Sequence, residues 1–285
     1  MSDSPVLSGY VDIDQSRLYY ETAGSGIPLL MVHAGIADCE QWENEFLDLS
    51  RKFRVVRYDM RGYGKSDPVQ GPFSHVLDLQ AVIEQLQLPF PLIIMGCSMG
   101  GVLSMEYAIE HPANIQGLIM IGPGPCGFEM EGNEQELFLD AMKAFKEGDL
   151  NRLAEIETQI WFDSMESAPD QVDQSMRALL YDMHRSARLG DAIQPGEPVS
   201  DTSQPEYAKL SAINFPVLII IGSQDLSAMH AAADYLTEEI PLARKVVIDD
   251  AAHLPNLDQP HQCQEVVEEF LDEITSEQDY DTMFP

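Results

Sequence analysis

Pro91-Leu92-Ile93-Ile94-Met95-Gly96-Cys97-Ser98-Met99-Gly100-Gly101 is the stretch that decides how the rest of the chain is read. Leu92 to Met95 form a short continuous apolar run, the pattern of a buried strand. Val102-Leu103-Ser104-Met105-Glu106-Tyr107-Ala108 then reads as a helix. Between them stands Gly96-x-Ser98-x-Gly100. A serine with glycine two positions to either side, after a strand and before a helix, is the pattern of a nucleophile elbow. Such a turn is strained and crowded, and glycine lets strand and helix approach closely. Ser98 is therefore the first candidate for chemistry. Cys97 beside it reads as a small buried filler.

Working outward, residues 7–20 alternate apolar and polar around Asp14-Gln15-Ser16, a hairpin signal, and Gly24-Ser25-Gly26 reads as a turn. Strands are expected at 29–32, 54–58, 116–121, 216–221 and 245–248. Helices are expected at 41–49, 75–88, 228–239 and 259–275. Alternating segments whose strands are continuous apolar runs predict a parallel sheet covered on both faces. From about 128 to about 210 the strand signal disappears. Residues 136–145, 151–161 and 171–186 read as amphipathic helices, and 190–205 as a loop. A helical block inserted between two strands of one sheet predicts a lid over the carboxyl ends of the strands, where open α/β sheets bind ligands. The expected fold class is α/β, a mostly parallel, doubly wound sheet of about eight strands with an inserted helical lid. The core would span 1–125 and 212–275, the lid 126–211, and an acidic C-terminal tail 276–285.

With 285 residues, 45% of them hydrophobic, the chain can bury a substantial core. Its 48 acidic residues against 16 Lys and Arg give a net charge of −32. No Lys or Arg follows Lys245, and residues 265–281 hold eight acids. Such a surface repels nucleic acid and anionic membrane, so neither is an expected partner. No apolar run approaches the length of a membrane span, and the N-terminus has neither the basic nor the apolar part of a signal peptide. A cytoplasmic monomer or homodimer is expected. Cys39, Cys97, Cys126 and Cys263 are scattered without metal-ligand spacing, so free thiols and no metal are expected. Adaptation to salt and ordinary acidity are both compatible with the charge.

Several motifs taken together resemble the α/β-hydrolase fold family over roughly residues 7–275. They are His33-Ala34-Gly35 after a strand with Trp42 downstream, Tyr58-Asp59-Met60-Arg61-Gly62-Tyr63-Gly64-Lys65-Ser66, Gly96-Cys97-Ser98-Met99-Gly100, Gly222-Ser223-Gln224-Asp225 and Ala252-His253. One departure is Ala34, where many members carry glycine. The loop over 61–73 is similar to that of small esterases and enol-lactone hydrolases. The resemblance implies a serine hydrolase that works without a cofactor.

A serine hydroxyl needs an adjacent base, and histidine suits that task near neutral pH. Among seven histidines, His75, His111, His184, His230 and His261 fall in or beside predicted helices and read as solvated. His33 reads as a brace for its own loop. His253 lies just past the last strand, on a loop that in this fold points at the elbow, and is preferred to His261. The order serine, acid, histidine then favours Asp225, at a strand's carboxyl end. Asp249 and Asp250, close in sequence to His253, are its runners-up. The backbone N–H groups of Met99 and, by position, Gly35 are the expected oxyanion donors. Arg57, Asp59 and Arg61 read as ion pairing that holds a loop. The lid aromatics Phe128, Phe138, Phe145, Trp161, Phe162 and Tyr181 read mainly as core, with Phe128 and Trp161 the first candidates for substrate contact. The expected reaction is hydrolysis of a small carboxylic ester or lactone through an acyl-enzyme. C–C bond hydrolysis, cofactor-free peroxidation on the same triad and a non-catalytic ligand sensor stay open, because a fold does not name a substrate.

Overall fold

A computed structural model describes residues 5–13, 16–69, 71–124, 133–164, 172–193, 197–198 and 207–283. In chain order the strands are β1 (Leu7–Ile13), β2 (Ser16–Gly24), β3 (Pro28–Val32), β4 (Arg54–Tyr58), β5 (Pro72–Phe73), β6 (Leu92–Cys97), β7 (Ile115–Ile121), β8 (Glu197–Pro198), β9 (Val217–Gly222) and β10 (Ala243–Ile248). The helices are α1 (Glu43–Leu49), α2 (His75–Gln85), α3 (Met99–Glu110), α4 (Asn133–Glu147), α5 (Leu150–Thr158), α6 (Gln174–Ile193), α7 (Ser227–Glu239), α8 (Pro255–Asp258) and α9 (Pro260–Met283). Eight strands form one sheet in the order β1-β2-β4-β3-β6-β7-β9-β10. β2 is antiparallel to both of its neighbours, β1 and β4. From β4 to β10 every pairing is parallel.

The strands read as unbroken apolar runs because both faces of the sheet are covered. In β3, Leu29 and Met31 pack with Trp42, Phe46 and Phe270 on one face. Leu30 and Val32 pack with Leu79, Tyr107 and Leu236 on the other. Strand order reverses at β3, which pairs with β4 on one side and β6 on the other. The crevice at such a switch point is where open α/β sheets bind ligands.

The structure departs from the sequence expectations in four places. β2 runs on to Gly24, where Thr22, Ala23 and Gly24 pair with β4. A two-residue parallel pairing joins β5 to β8, in a region read as loop. α6 continues to Ile193, and α9 continues to Met283 rather than ending at Thr275. Helices α4, α5 and α6 fall between β7 and β9 and form the inserted helical block. Among the described residues no helix is long and apolar enough to cross a membrane.

Candidate active site

β6 ends in a turn that only glycines at Gly96 and Gly100 permit. A Cβ at Gly96 would stand 2.3 Å from the Gly100 carbonyl oxygen, and one at Gly100 would stand 2.3 Å from that of Val32. Between them Ser98 adopts φ 50° and ψ −116°, a left-handed conformation that costs about 1–3 kcal/mol and persists only where its surroundings hold it. Its own N–H donates to the Ile121 carbonyl at 2.7 Å. Val102 N–H donates to the Ser98 carbonyl at 3.1 Å, which starts α3. Cys97 is fully buried, and burial pushes its thiol up to about 12, so it stays protonated and fills space.

The parallel strands end on the same edge, so the loops after β3, β6, β9 and β10 gather there. His253 Nε2 lies 2.7 Å from Ser98 Oγ. His253 Nδ1 lies 3.0 Å from each carboxylate oxygen of Asp225. Asp225 Oδ1 also accepts the Leu226 N–H at 2.7 Å, which fixes the carboxylate at the entrance to α7. The structure thus brings Ser98, His253 and Asp225 into one hydrogen-bonded line, with the histidine and aspartate side chains almost wholly buried. Asp250 turns away: it is exposed, takes φ 54°, and its N–H is held by Ser223 Oγ at 3.0 Å.

Met99 is the first residue of α3, so its N–H is among those a helix leaves without an internal acceptor. Gly35 lies beside it, since a Cβ there would meet the Met99 side chain at 3.6 Å. The peptide between Ala34 and Gly35 is held firmly. Its carbonyl accepts from His33 Nδ1 at 2.8 Å and from Ala37 N–H at 3.1 Å. His33 Nε2 in turn accepts the Met60 N–H at 2.9 Å. That contact requires the proton on Nδ1, and burial pushes the imidazole pKa down, so His33 is neutral. His33 therefore ties the loop after β3 to the one after β4.

The charged loop after β4 is held by pairing. Arg57 bonds Glu21 at 2.5 Å and Glu43 at 2.6 Å. Arg61 makes a two-pronged pair with the buried Asp78 at 2.7 and 2.9 Å. Asp59 accepts the N–H groups of Cys39 and Lys65.

The helical block reaches the site. A single π-helical turn, Gln159–Asp163, follows α5, and such turns concentrate at functional positions. Trp161 on this turn lies with its ring centroid 4.5 Å from that of His253, and Phe138 packs edge-on to it at 5.6 Å. Phe162 is buried, whereas Phe145 is 57% exposed and does not serve as core. Phe128 lies outside the described residues. His184 is a correction: it is wholly buried and bonded to Glu157 on α5, which also takes Arg188. Periodicity alone could not reveal that pairing across two helices. Sequence reading also missed Gln41, Glu45 and Asn256, three buried polar side chains beside the loop after β3. A signal existed for Glu45, a carboxylate on the apolar face set by Trp42, Phe46 and Leu49. Among the described residues no group of three or more His, Cys, Asp or Glu is arranged to hold a metal.

Among curated proteins, this chain is 26% identical over 259 residues to a pimeloyl-[acyl-carrier protein] methyl ester esterase of Nitrosomonas europaea, covering 87% of this chain and 96% of that one. It is 26% identical over 232 residues to 3-oxoadipate enol-lactonase 2 of Acinetobacter baylyi, covering 80% and 82%. Among solved structures, a bromoperoxidase from Bacillus anthracis superposes with a TM-score of 0.78 at 22% identity, covering 93% and 100%. A thermophilic esterase from Thermogutta terrifontis gives 0.73 at 23%, covering 95% and 99%. A family model described as the alpha/beta hydrolase fold matches residues 27–260, from the entrance of β3 to the start of α9. With that match, this strand order and the elbow at the switch point, the chain belongs to the alpha/beta hydrolase family.

Proposed function

We propose that the protein is a serine hydrolase of small carboxylic esters or lactones, acting through an acyl-enzyme on Ser98, His253 and Asp225. The observation that carries this reading is the 2.7 Å contact between Ser98 Oγ and His253 Nε2, with Nδ1 held between both oxygens of Asp225. In the first step Oγ attacks the ester carbonyl as Nε2 takes its proton, and Asp225 stabilises the imidazolium. The oxyanion is met by the N–H groups of Met99 and Gly35, each worth roughly 3 kcal/mol in the transition state. The imidazolium returns its proton to the leaving alkoxide. Water, activated by the same imidazole, then releases the acid. Trp161, packed at a tilt of 43° against His253, forms one wall against the acyl or leaving group. That two relatives are a methyl ester esterase and an enol-lactonase supports this chemistry.

Steady-state turnover of short-chain p-nitrophenyl esters and of a simple lactone tests the reading. Ser98→Ala is expected to lower turnover by at least about 10³-fold. Unchanged turnover would overturn it. Labelling of Ser98 with no multiple turnover on any ester would instead indicate a ligand sensor.

A further inference from the structure

We propose that Gln41, Asn256 and Glu45 form a buried positioning chain that aims the Gly35 N–H by tying the loop after β3 to the turn after His253. The inference rests on the serine-hydrolase reading and concerns how its oxyanion donor is held. The three residues are 3%, 0% and 4% exposed. Gln41 Oε1 accepts the Ala34 N–H at 2.8 Å. Gln41 Nε2 donates to Asn256 Oδ1 at 3.4 Å, and Asn256 Nδ2 donates to Glu45 Oε1 at 3.3 Å.

The direction of this chain is dictated at one end. Ala34 N–H is a donor, so Gln41 must present its oxygen there. Its nitrogen then faces Asn256, which must answer with oxygen, and the Asn256 nitrogen is left for the Glu45 carboxyl group. No other arrangement of the two amides satisfies every contact. The chain thus acts on the residue before the oxyanion donor, while His33 and Ala37 hold the carbonyl of the Ala34–Gly35 peptide. With the bonds on either side fixed, the plane of that peptide is fixed, and with it the direction of the Gly35 N–H. An oxyanion donor is effective to the extent that it needs no reorganisation as charge develops. Asn256 sits on α8, which follows His253 directly, so the same chain keeps base and oxyanion donor in register. Burying three polar side chains is costly unless they bond, and an apolar trio would fill the volume. A positioning role accounts for their presence.

The test uses the full-length protein, p-nitrophenyl acetate as substrate and phenylboronic acid as a probe that forms a tetrahedral adduct on serine. Gln41→Met removes the acceptor, and Gln41→Glu retains an oxygen for Ala34 N–H. Gln41→Met is expected to lower kcat on the order of 10–100-fold, less than the roughly 10²–10³-fold lost when an oxyanion donor is removed outright, with KM within about twofold. Phenylboronic acid should weaken in parallel with kcat, and Gln41→Glu, which keeps the bond to Ala34 N–H but gives up the donor to Asn256, should fall between wild type and Gln41→Met in both. If Gln41→Met does not fold, Asn256→Ser, which cuts the chain without touching Ala34, is expected to move kcat and boronate affinity the same way. The proposal is overturned if folded Gln41→Met or Asn256→Ser has a lower Tm but wild-type kcat and boronate affinity while Ser98→Ala is inactive. If Ser98→Ala itself retains wild-type turnover, the hydrolase reading fails first and this inference falls with it.

Discussion

At Glu45 a carboxyl group is enclosed by the core, with the Asn256 amide as its side-chain donor. The titratable groups around it are Asp48 on its own helix, Arg57 on β4, Cys97 on β6 and Cys263 on α9. Burial dominates and pushes its pKa from 4.5 up to about 7. Between those values the folded chain holds a proton that the unfolded chain has lost. The associated stability is present in full below about 4.5 and disappears as pH rises through about 7. A shift of that size corresponds to at most about 3 kcal/mol. Glu45→Gln keeps an oxygen for Asn256 and cannot ionise. It should therefore raise the urea midpoint at about pH 8 and leave it nearly unchanged at about pH 4.5. Equal effects at both pH values would show that Glu45 does not titrate in the fold. At this scale the sequence is legible where chemistry has a pattern. Ser98, Asp225 and His253 could be singled out by motif, chain order and strand ends. Gln41 and Asn256 could not, because amides 215 positions apart leave no periodic trace.

The inserted helices are anchored to the core next to the candidate site. Glu134 on α4 accepts both the N–H and the hydroxyl of Ser227, at 2.9 and 2.8 Å, and so caps α7 just past Asp225. A carboxylate at a helix N-terminus is favourable through both hydrogen bonds and the helix dipole. The π-turn after α5 then delivers Trp161 onto His253. Within the proposed function this makes the indole a size filter for the acyl chain. Trp161→Ala should raise kcat/KM for octanoate relative to butyrate p-nitrophenyl esters by several-fold, because a ring-sized space opens beside the imidazole. An unchanged chain-length profile would remove Trp161 from the substrate wall. Helices and strands themselves were readable from apolar runs and spacing. The docking of one element on another was not, since amphipathic spacing says which face is buried and never against what. The π-turn left no signal either, because an i→i+5 bond has no compositional signature.

Across the whole molecule, 48 carboxylates face 16 Lys and Arg. Several of the cations are already engaged: Arg57, Arg61, Arg177 and Arg188 each hold one or two acids. Most carboxylates therefore have no cation to pair with, and they repel one another across the surface. Two kinds of titration act on stability. Glu21, against burial, is held low by Tyr19 and Arg57, and Glu157, against burial, by His184 and Arg188, so their contribution is lost as pH falls through their lowered values. Asp38 and Asp258, raised by burial to about 6, join Glu45 in the opposite sense, and their contribution is lost as pH rises through about 6. General repulsion also grows with pH until ionisation is complete. Stability should consequently peak in the weakly acidic range and decline towards pH 8. Salt shortens the reach of surface repulsion, with a Debye length of about 10 Å at 0.1 M and about 3 Å at 1 M. Raising NaCl from about 0.05 M to about 1 M should therefore raise Tm at pH 8 by several degrees. At pH 5, where some carboxylates are neutral, the gain should be smaller. Buried ion pairs such as Arg61–Asp78 are poorly reached by salt and should not offset it. A Tm that stays flat or falls with NaCl at both pH values would mean that the fold tolerates its charge without measurable cost, and the case for adaptation to salt would end there.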